Sequence, residues 1–195
     1  NSTTAEYKYR FGWEFPIIAS IHEPNTLYVS GNIVFKSTDE GTTWEPISGD
    51  LTYDDKTKQQ ISGPITSEGP WAEIYCTVYT LAESPLTKGV LWAGTDDGLI
   101  YVTKNDGKSW DNITPPGLPK FTMVSCIELS SHDPSVAYVA ATGYKNDDNT
   151  PFLYKTSNYG KDWELIVDGM PEADFTRVIR EDPSKQGLLY AGTET

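Results

Sequence analysis

Three stretches of the 195-residue chain repeat one short pattern, and a repeat of this kind leaves few folds open. They are Ser37-Thr-Asp39-Glu-Gly41-Thr-Thr43-Trp44, Thr103-Lys-Asn105-Asp-Gly107-Lys-Ser109-Trp110 and Thr156-Ser-Asn158-Tyr-Gly160-Lys-Asp162-Trp163. An alternating apolar run leads into each (Ile33-Val-Phe35, Leu99-Ile-Tyr101-Val, Phe152-Leu-Tyr154). A short apolar-polar run leaves each (Glu45-Pro-Ile47, Asp111-Asn-Ile113, Glu164-Leu-Ile166). Period-two alternation on both sides of a turn predicts strand, hairpin, strand. The short acceptors Asp39, Asn105 and Asn158 suit an Asx-turn, taking up backbone N–H groups two residues on. The glycine two positions later supplies the positive φ that a tight hairpin needs. The tryptophan then returns on the outgoing strand, where its indole can bury a large area against the hairpin.

A second repeat precedes each of these boxes. Glu23-Pro24-Asn-Thr-Leu27-Tyr-Val29-Ser-Gly31 matches Ser84-Pro85 through Val90-Leu-Trp-Ala-Gly94, then Asp133-Pro134 through Tyr138-Val-Ala, then Asp182-Pro183 through Leu188-Leu-Tyr190-Ala-Gly192. Ahead of each proline runs another alternating segment: Pro16 to Ile21, Thr77 to Leu81, Met123 to Ile127 and Thr176 to Ile179. Proline lacks the N–H that would continue a ladder, so it marks a strand exit. One unit reads strand, proline turn, strand, loop, strand, Gly–Trp hairpin, strand. Four antiparallel strands in roughly 40–50 residues make one blade of a β-propeller. Blades are expected over 15–48, 74–114 and 121–167, with the start of a fourth over 175–195. The fold class is therefore all-β, a β-propeller segment of about three and a half blades. Such an arc leaves strand edges and apolar blade faces uncovered, which implies further blades from the parent chain or a partner chain. Residues 49–73, with Asp54-Asp55-Lys56 and Gly63-Pro64, read as an inserted, mobile surface loop. The alternation of Glu6-Tyr-Lys-Tyr-Arg-Phe11 suits the outer strand of a preceding or closing blade.

In these residues the chain resembles the Asp-box (BNR) repeat propellers, which include sialidases, xyloglucanase-type glycosidases and the sortilin ectodomain. It looks most like large secreted bacterial proteins of the sortilin-like or glycosyl hydrolase BNR-repeat kind. Arg10-Phe-Gly-Trp13-Glu-Phe-Pro16, Phe35 through Trp44, Ala82-Glu-Ser-Pro85, Leu91 through Gly98, and Arg177 through Gly192 carry the likeness, which covers nearly the whole chain outside 49–73. The box is specific for a fold and weak for function, since it recurs in enzymes, receptors and assembly factors. Asn105 and Asn158 stand in the Asp place and Asp162 in the Thr place, and each box keeps a turn acceptor. The resemblance implies that Ser37, Asp39, Gly41, Trp44, Thr103, Asn105, Gly107, Trp110, Thr156, Asn158, Gly160 and Trp163 are structural, on the blade face away from the usual binding face. It also implies an exported protein, secreted, periplasmic or at the cell surface.

Composition narrows the partners. Twenty-eight acids against 15 Lys and Arg give a net charge of −13, and the cations are scattered. Nucleic acid and anionic membrane surfaces are both disfavoured by such a surface. No apolar run has the length of a membrane-spanning helix. Cys76 and Cys126 lie in strand-like runs without Cys or His at metal spacing, so no zinc site is indicated. They read as two small buried hydrophobes or as one disulfide between neighbouring strands.

Blade topology puts the loops between second and third strands at the same end as the segments leading into each first strand. Those loops hold Asp96-Asp97-Gly98, Asn146-Asp147-Asp148 and Glu194. A glycosidase needs two carboxylates flanking a cleft. Adjacent carboxylates raise one another's pKa, which makes Asp97 and Asp148 the catalytic candidates. The same Asp-Asp-Gly is also ordinary solvated turn chemistry. No cofactor is indicated; calcium suits these acidic loops chemically, without the spacing of a recognised calcium loop. Arg10 and Trp13 join Asp96 and Asp147 as ligand-binding candidates, since a guanidinium beside an indole suits a sugar ring or a carboxylate. Packing between blades is the competing role for Arg10 and Trp13. Arg177 and Arg180 open the fourth blade in the same way, but no arginine triad and no Arg-Ile-Pro motif of sialidases assembles. His22 and His132 hold matching places before Pro24 and Pro134 and read as turn residues. The sequence thus favours a binding or assembly propeller for protein, peptide or glycan ligands. Its alternative is part of a polysaccharide-acting glycoside hydrolase, and a third reading is a surface-lattice component pairing through open edges.

Overall fold

The computed structural model describes residues 7–60 and 74–195. Among the described residues every strand falls in one of four antiparallel sheets. The first holds β1 (Ile17–Ala19), β2 (Leu27–Ser30), β3 (Val34–Ser37) and β4 (Glu45–Pro46). The second holds β5 (Val78–Glu83), β6 (Leu91–Thr95), β7 (Ile100–Thr103) and β8 (Asp111–Asn112). The third holds β9 (Met123–Leu129), β10 (Ala137–Gly143), β11 (Asp148–Thr156) and β12 (Glu164–Leu165). The fourth is the pair β13 (Thr176–Glu181) and β14 (Leu189–Thr193). Strands pair in chain order within each sheet, as in propeller blades. Three blades and the first two strands of a fourth are present. No helix among the described residues is long and apolar enough to cross a membrane.

The core lies between blades. Tyr28 and Val34 of the first blade meet Val78, Leu81 and Leu91 of the second. Trp92, Ile100 and Val102 meet Val124, Ile127 and Val139 of the third. Cys126, Tyr138, Ala140 and Leu153 meet Ile179 of the fourth. A strand packed on both faces reads as a continuous apolar run rather than an alternating one. That is why Leu91-Trp-Ala-Gly-Thr95 and the whole of β10 are buried end to end. Each fully buried aliphatic or aromatic side chain contributes about 1.5–3 kcal/mol. Gly94 lets the second and third blades approach, since a Cβ there would lie 2.5 Å from Val124 Cγ1.

All three Gly–Trp hairpins close with one set of hydrogen bonds. In the first, Gly41 N–H donates to Ser37 Oγ (2.8 Å), Ser37 Oγ–H donates to Asp39 Oδ1 (2.8 Å), and Thr43 N–H donates to the same Oδ1 (2.8 Å). Thr103, Asn105, Gly107 and Ser109 repeat this, as do Thr156, Asn158, Gly160 and Asp162. The acceptor therefore reaches the N–H four residues on, not two as in a simple Asx-turn, because the hydroxyl at the box start takes the intervening glycine N–H. Gly41, Gly107 and Gly160 have φ of 86°, 82° and 79°. The later boxes also dock on the preceding blade: Trp110 Nε1–H donates to Ile47 O (2.8 Å) and Trp163 Nε1–H to Ile113 O (2.6 Å).

His22 and His132 stand in proline turns and tie blades through the ring Nε2, at 2.8 Å from Ser84 O and 3.0 Å from Asp182 O. Cys76 and Cys126 are separate buried thiols. No strand forms over 7–11, although the segment alternates. It is held as an irregular run by Arg10 N–H donating to Asn32 Oδ1 and Asn32 N–H donating to Arg10 O. Of the 49–73 insertion, 50–60 is anchored chain with Leu51 and Gln59 buried; 61–73 lies outside the described residues.

Candidate functional site

The hairpins and proline turns occupy one end of the blades. At the other end, the connections after β2, β6 and β10 meet the segments leading into β1, β5, β9 and β13. A cleft of about 760 Å³ opens there. Trp13 and Glu14 come from the segment before β1, Tyr75 and Thr77 from that before β5, and Phe121 from that before β9. Asp96 follows β6, and Lys145 and Asn146 follow β10. Tyr79 projects from β5, and Lys58 comes from the one-turn 3-10 helix Lys56–Lys58.

Asp96 is fixed on the cleft wall by one residue. Thr77 N–H donates to its Oδ1 (2.8 Å) and Thr77 Oγ1–H to its Oδ2 (3.0 Å). Asp96 N–H in turn donates to Thr77 O (2.9 Å). Enclosure outweighs these bonds: burial, helped by the neighbouring Asp97, pushes the Asp96 carboxyl up to about 7. Partial exposure and a raised pKa together describe a carboxyl that meets solvent only through the cleft. Thr77 is itself covered by the first blade, since a Cβ on Gly12 would lie 2.9 Å from its Oγ1. Glu14 accepts from Tyr79 Oη–H (2.7 Å) across that seam. Trp13 is 76% exposed and offers an open indole face.

The other residues singled out from sequence lie elsewhere. Asp97 is fully buried beneath the cleft, where Thr95 Oγ1–H (2.6 Å) and Tyr53 N–H (2.8 Å) donate to its two oxygens. Burial raises its pKa, and those bonds oppose the shift. Arg10 is 2% exposed; its guanidinium lies against Asp50 (2.7 Å), Asp54 (2.9 Å), Thr52 and the Cys76 carbonyl. Asp147 is exposed with φ of 58°, and Asp148 accepts from Thr150 N–H; neither lines the cleft. Glu194 accepts from Arg177 Nε–H (2.7 Å). The structure therefore brings together Trp13 and Asp96 and leaves Arg10, Asp97, Asp147 and Asp148 outside the cleft.

Lys58, Tyr75, Thr77, Phe121 and Lys145 were not legible as site residues, although four of the five follow the rule that singled out Trp13: they precede a first strand or follow a second one. Cys76 and Phe121, beside and within the cleft wall, have φ of 66° and 65°. Positive φ at a bulky residue carries strain that the surrounding structure has to hold. Among the described residues no group of three or more His, Cys, Asp or Glu could hold a metal ion. A second hollow of about 480 Å³, at the seam of Ile47–Leu51 with Lys108–Trp110, is shallow and lacks converging acids.

No protein-family model matches the chain. An oligoxyloglucan-reducing end-specific xyloglucanase of Emericella nidulans is 27% identical over 106 residues, 54% of this chain and 13% of that protein. A vacuolar protein sorting/targeting protein 10 of Laccaria bicolor is 31% identical over 110 residues, 55% of this chain and 7% of that protein. Among solved structures, an ancestral GH74 enzyme superposes with a TM-score of 0.66 at 15% identity, covering 95% of this chain and 22% of its own. The chain thus spans a small fraction of each. Repeats, hairpin geometry and likenesses agree on a β-propeller, similar to the xyloglucanase and sorting-protein propellers that carry Asp-box (BNR) repeats.

Proposed function

We propose that this is a binding propeller whose cleft takes a carbohydrate chain. One observation carries the reading: an indole that is 76% exposed stands in the same cleft as oriented carboxyl groups. Sugars present apolar C–H faces to aromatic rings and hydroxyls to carboxyl and amide groups. Trp13, Tyr75 and Phe121 supply the first kind of contact, and Glu14, Asp96 and Asn146 the second. Binding clefts combine apolar walls with a few fixed polar groups in this manner. The xyloglucanase among the relatives supports a sugar ligand, and the sorting protein keeps a peptide as the competing ligand. Titration calorimetry with gluco- and xylo-oligosaccharides tests the reading. Trp13→Ala should weaken binding by roughly tenfold or more with an unchanged melting temperature. Unaltered affinity would remove the indole from the site.

Hydrolysis is the second reading, and Asp96 favours it. A carboxyl that keeps its proton to about pH 7 has the property a general acid needs. Glu14 is the other acid lining the cleft and would be its partner. Release of reducing sugar, lost in Asp96→Asn while binding persists, would establish this reading; no release from the wild-type chain would refute it. We further infer that blades from the same parent chain or a partner cover the first blade. Ile17 (60%), Ile21 (61%) and Trp44 (40%) stand exposed there, where the other blades are packed. An extracellular or periplasmic location accords with a polysaccharide ligand.

A further inference from the structure

Four charged side chains line the cleft, and they are not equivalent. Glu14 is engaged by the Tyr79 hydroxyl, and Asp96 by both donors of Thr77. Lys58 and Lys145 have no acid within ion-pair distance among the described residues. Seven of the 15 Lys and Arg meet an acid among the described residues. Lys36 meets Glu23 and Asp106, Lys56 meets Asp54, and Arg10 meets Asp50 and Asp54. Asp55 feels the field of Lys58, but its carboxylate is held by Thr57 N–H and Oγ1–H. Arg177, just beyond the cleft, is already bonded to Glu194 and takes no part.

The two lysines are also placed rather than loose. Lys58 Nζ lies 4.5 Å from the centre of the Phe121 ring, and Lys145 Nζ 6.0 Å from that of Tyr144. Cation–π contact holds an ammonium near a ring without neutralising it. Two such ammoniums in a cleft that also holds the exposed Trp13 indole suit a ring-shaped ligand that carries an anion. At long range the net charge of −13 repels a polyanion, so attraction has to come from these local contacts.

We infer that the cleft selects a glycan bearing a carboxylate, a uronate-type sugar, over its neutral counterpart, with Lys58 and Lys145 as the anion contacts. This rests on the carbohydrate reading above. The test is calorimetry of the full chain with a tetragalacturonate and with its methyl ester, which keeps the sugar and removes the charge. The acid should bind roughly three- to tenfold more tightly. In the double variant Lys58→Ala, Lys145→Ala, the ratio of acid to ester affinity should fall to about one. Lys145→Arg should keep the preference. Equal binding of acid and ester, or a preference that survives the double variant, overturns the inference. Binding of neutral gluco-oligosaccharides alone does so too but leaves the carbohydrate reading standing. A Glu-rich peptide that binds when no saccharide does overturns both.

Discussion

The two ends of the blades are built on opposite principles. At the hairpin end one device recurs three times, with the same hydroxyl, acceptor and glycine bonds. At the cleft end the first three connections differ. The connection after β2 is a tight turn through Asn32, that after β6 carries Asp96 and Asp97, and that after β10 is a 3-10 turn followed by Asp147 in the left-handed region. Repetition at equivalent positions is explained by what all blades share, which is stacking on a neighbour. Departure at equivalent positions calls for a cause that one blade has and the others lack. The cleft end is therefore where function is to be sought, and the hairpin end is where stability is to be perturbed.

The largest effect should come from breaking a docked hairpin and comparing it with the undocked one. Trp163→Ala removes the bond to Ile113 O and edge-on contacts with Trp92 and Tyr154, and should cost about 3 kcal/mol. Gly160→Ala should cost a similar amount, because its Cβ would meet Ile113 Cδ1 at 2.6 Å on a backbone with φ of 79°. The same changes at Trp44 and Gly41 should cost about 1 kcal/mol. Trp44 is 40% exposed, and a Cβ on Gly41 would find nothing nearer than 3.4 Å. Chemical denaturation of the four variants measures the contrast. Equal losses at both hairpins would mean that docking between blades adds nothing.

Within the cleft end, Asp96 and Asp97 sharpen the comparison between buried support and solvent-facing site. Asp97→Ala leaves Thr95 Oγ1 and Tyr53 N–H without their buried acceptor, and should destabilise by about 2–3 kcal/mol. Asp96 acts through its proton instead. Unfolded, its carboxyl titrates near 3.8; folded, near 7. Between those values only the folded chain holds the proton, so its contribution to stability is largest below the lower value and declines as pH rises towards the upper. Asp96→Asn should leave stability at pH 4 almost unchanged and raise it by on the order of 1–3 kcal/mol at pH 8. Melting curves of variant and wild type across this range check it; a difference that does not grow with pH would place the proton elsewhere.

Much of the fold was legible because the hairpin chemistry is local. Gly41, Gly107 and Gly160 announce positive φ, and the runs before them announce strands by alternation. The site was legible only in part, because it is assembled from six segments distant in sequence. Trp13 and Asp96 could be placed at the right end of the blades by topology alone. Arg10 could not be separated from them, since nothing local says that its guanidinium turns inward to Asp50 and Asp54. Asp97 differs from its neighbour only by the face of the turn, and that face is set by Tyr53, 44 residues earlier. Lys58 enters through a segment that carries no repeat at all.

The smallest effect concerns how the three hairpins reach one geometry with different residues. In the first box, Thr43 Oγ1–H donates to the carboxylate of Asp39 (2.7 Å). In the third the carboxylate has changed sides, and Asn158 Nδ2–H donates to Asp162 Oδ2 (2.8 Å). Asn158→Asp alone sets two carboxylates against each other at the exposed tip and should cost about 0.5–1 kcal/mol at neutral pH, less in high salt. Asp162→Thr alone keeps a donor on Asn158 and a hydroxyl acceptor, the arrangement that Asn105 and Ser109 already use at 2.9 Å, and should be nearly neutral. The double variant recreates the first box, so its stability should return to within a few tenths of a kcal/mol of wild type rather than sum the two changes. A double-mutant cycle by denaturant melts reads this directly. An additive result would mean that the exchange of carboxylate between the two positions is not what keeps the departed boxes folded.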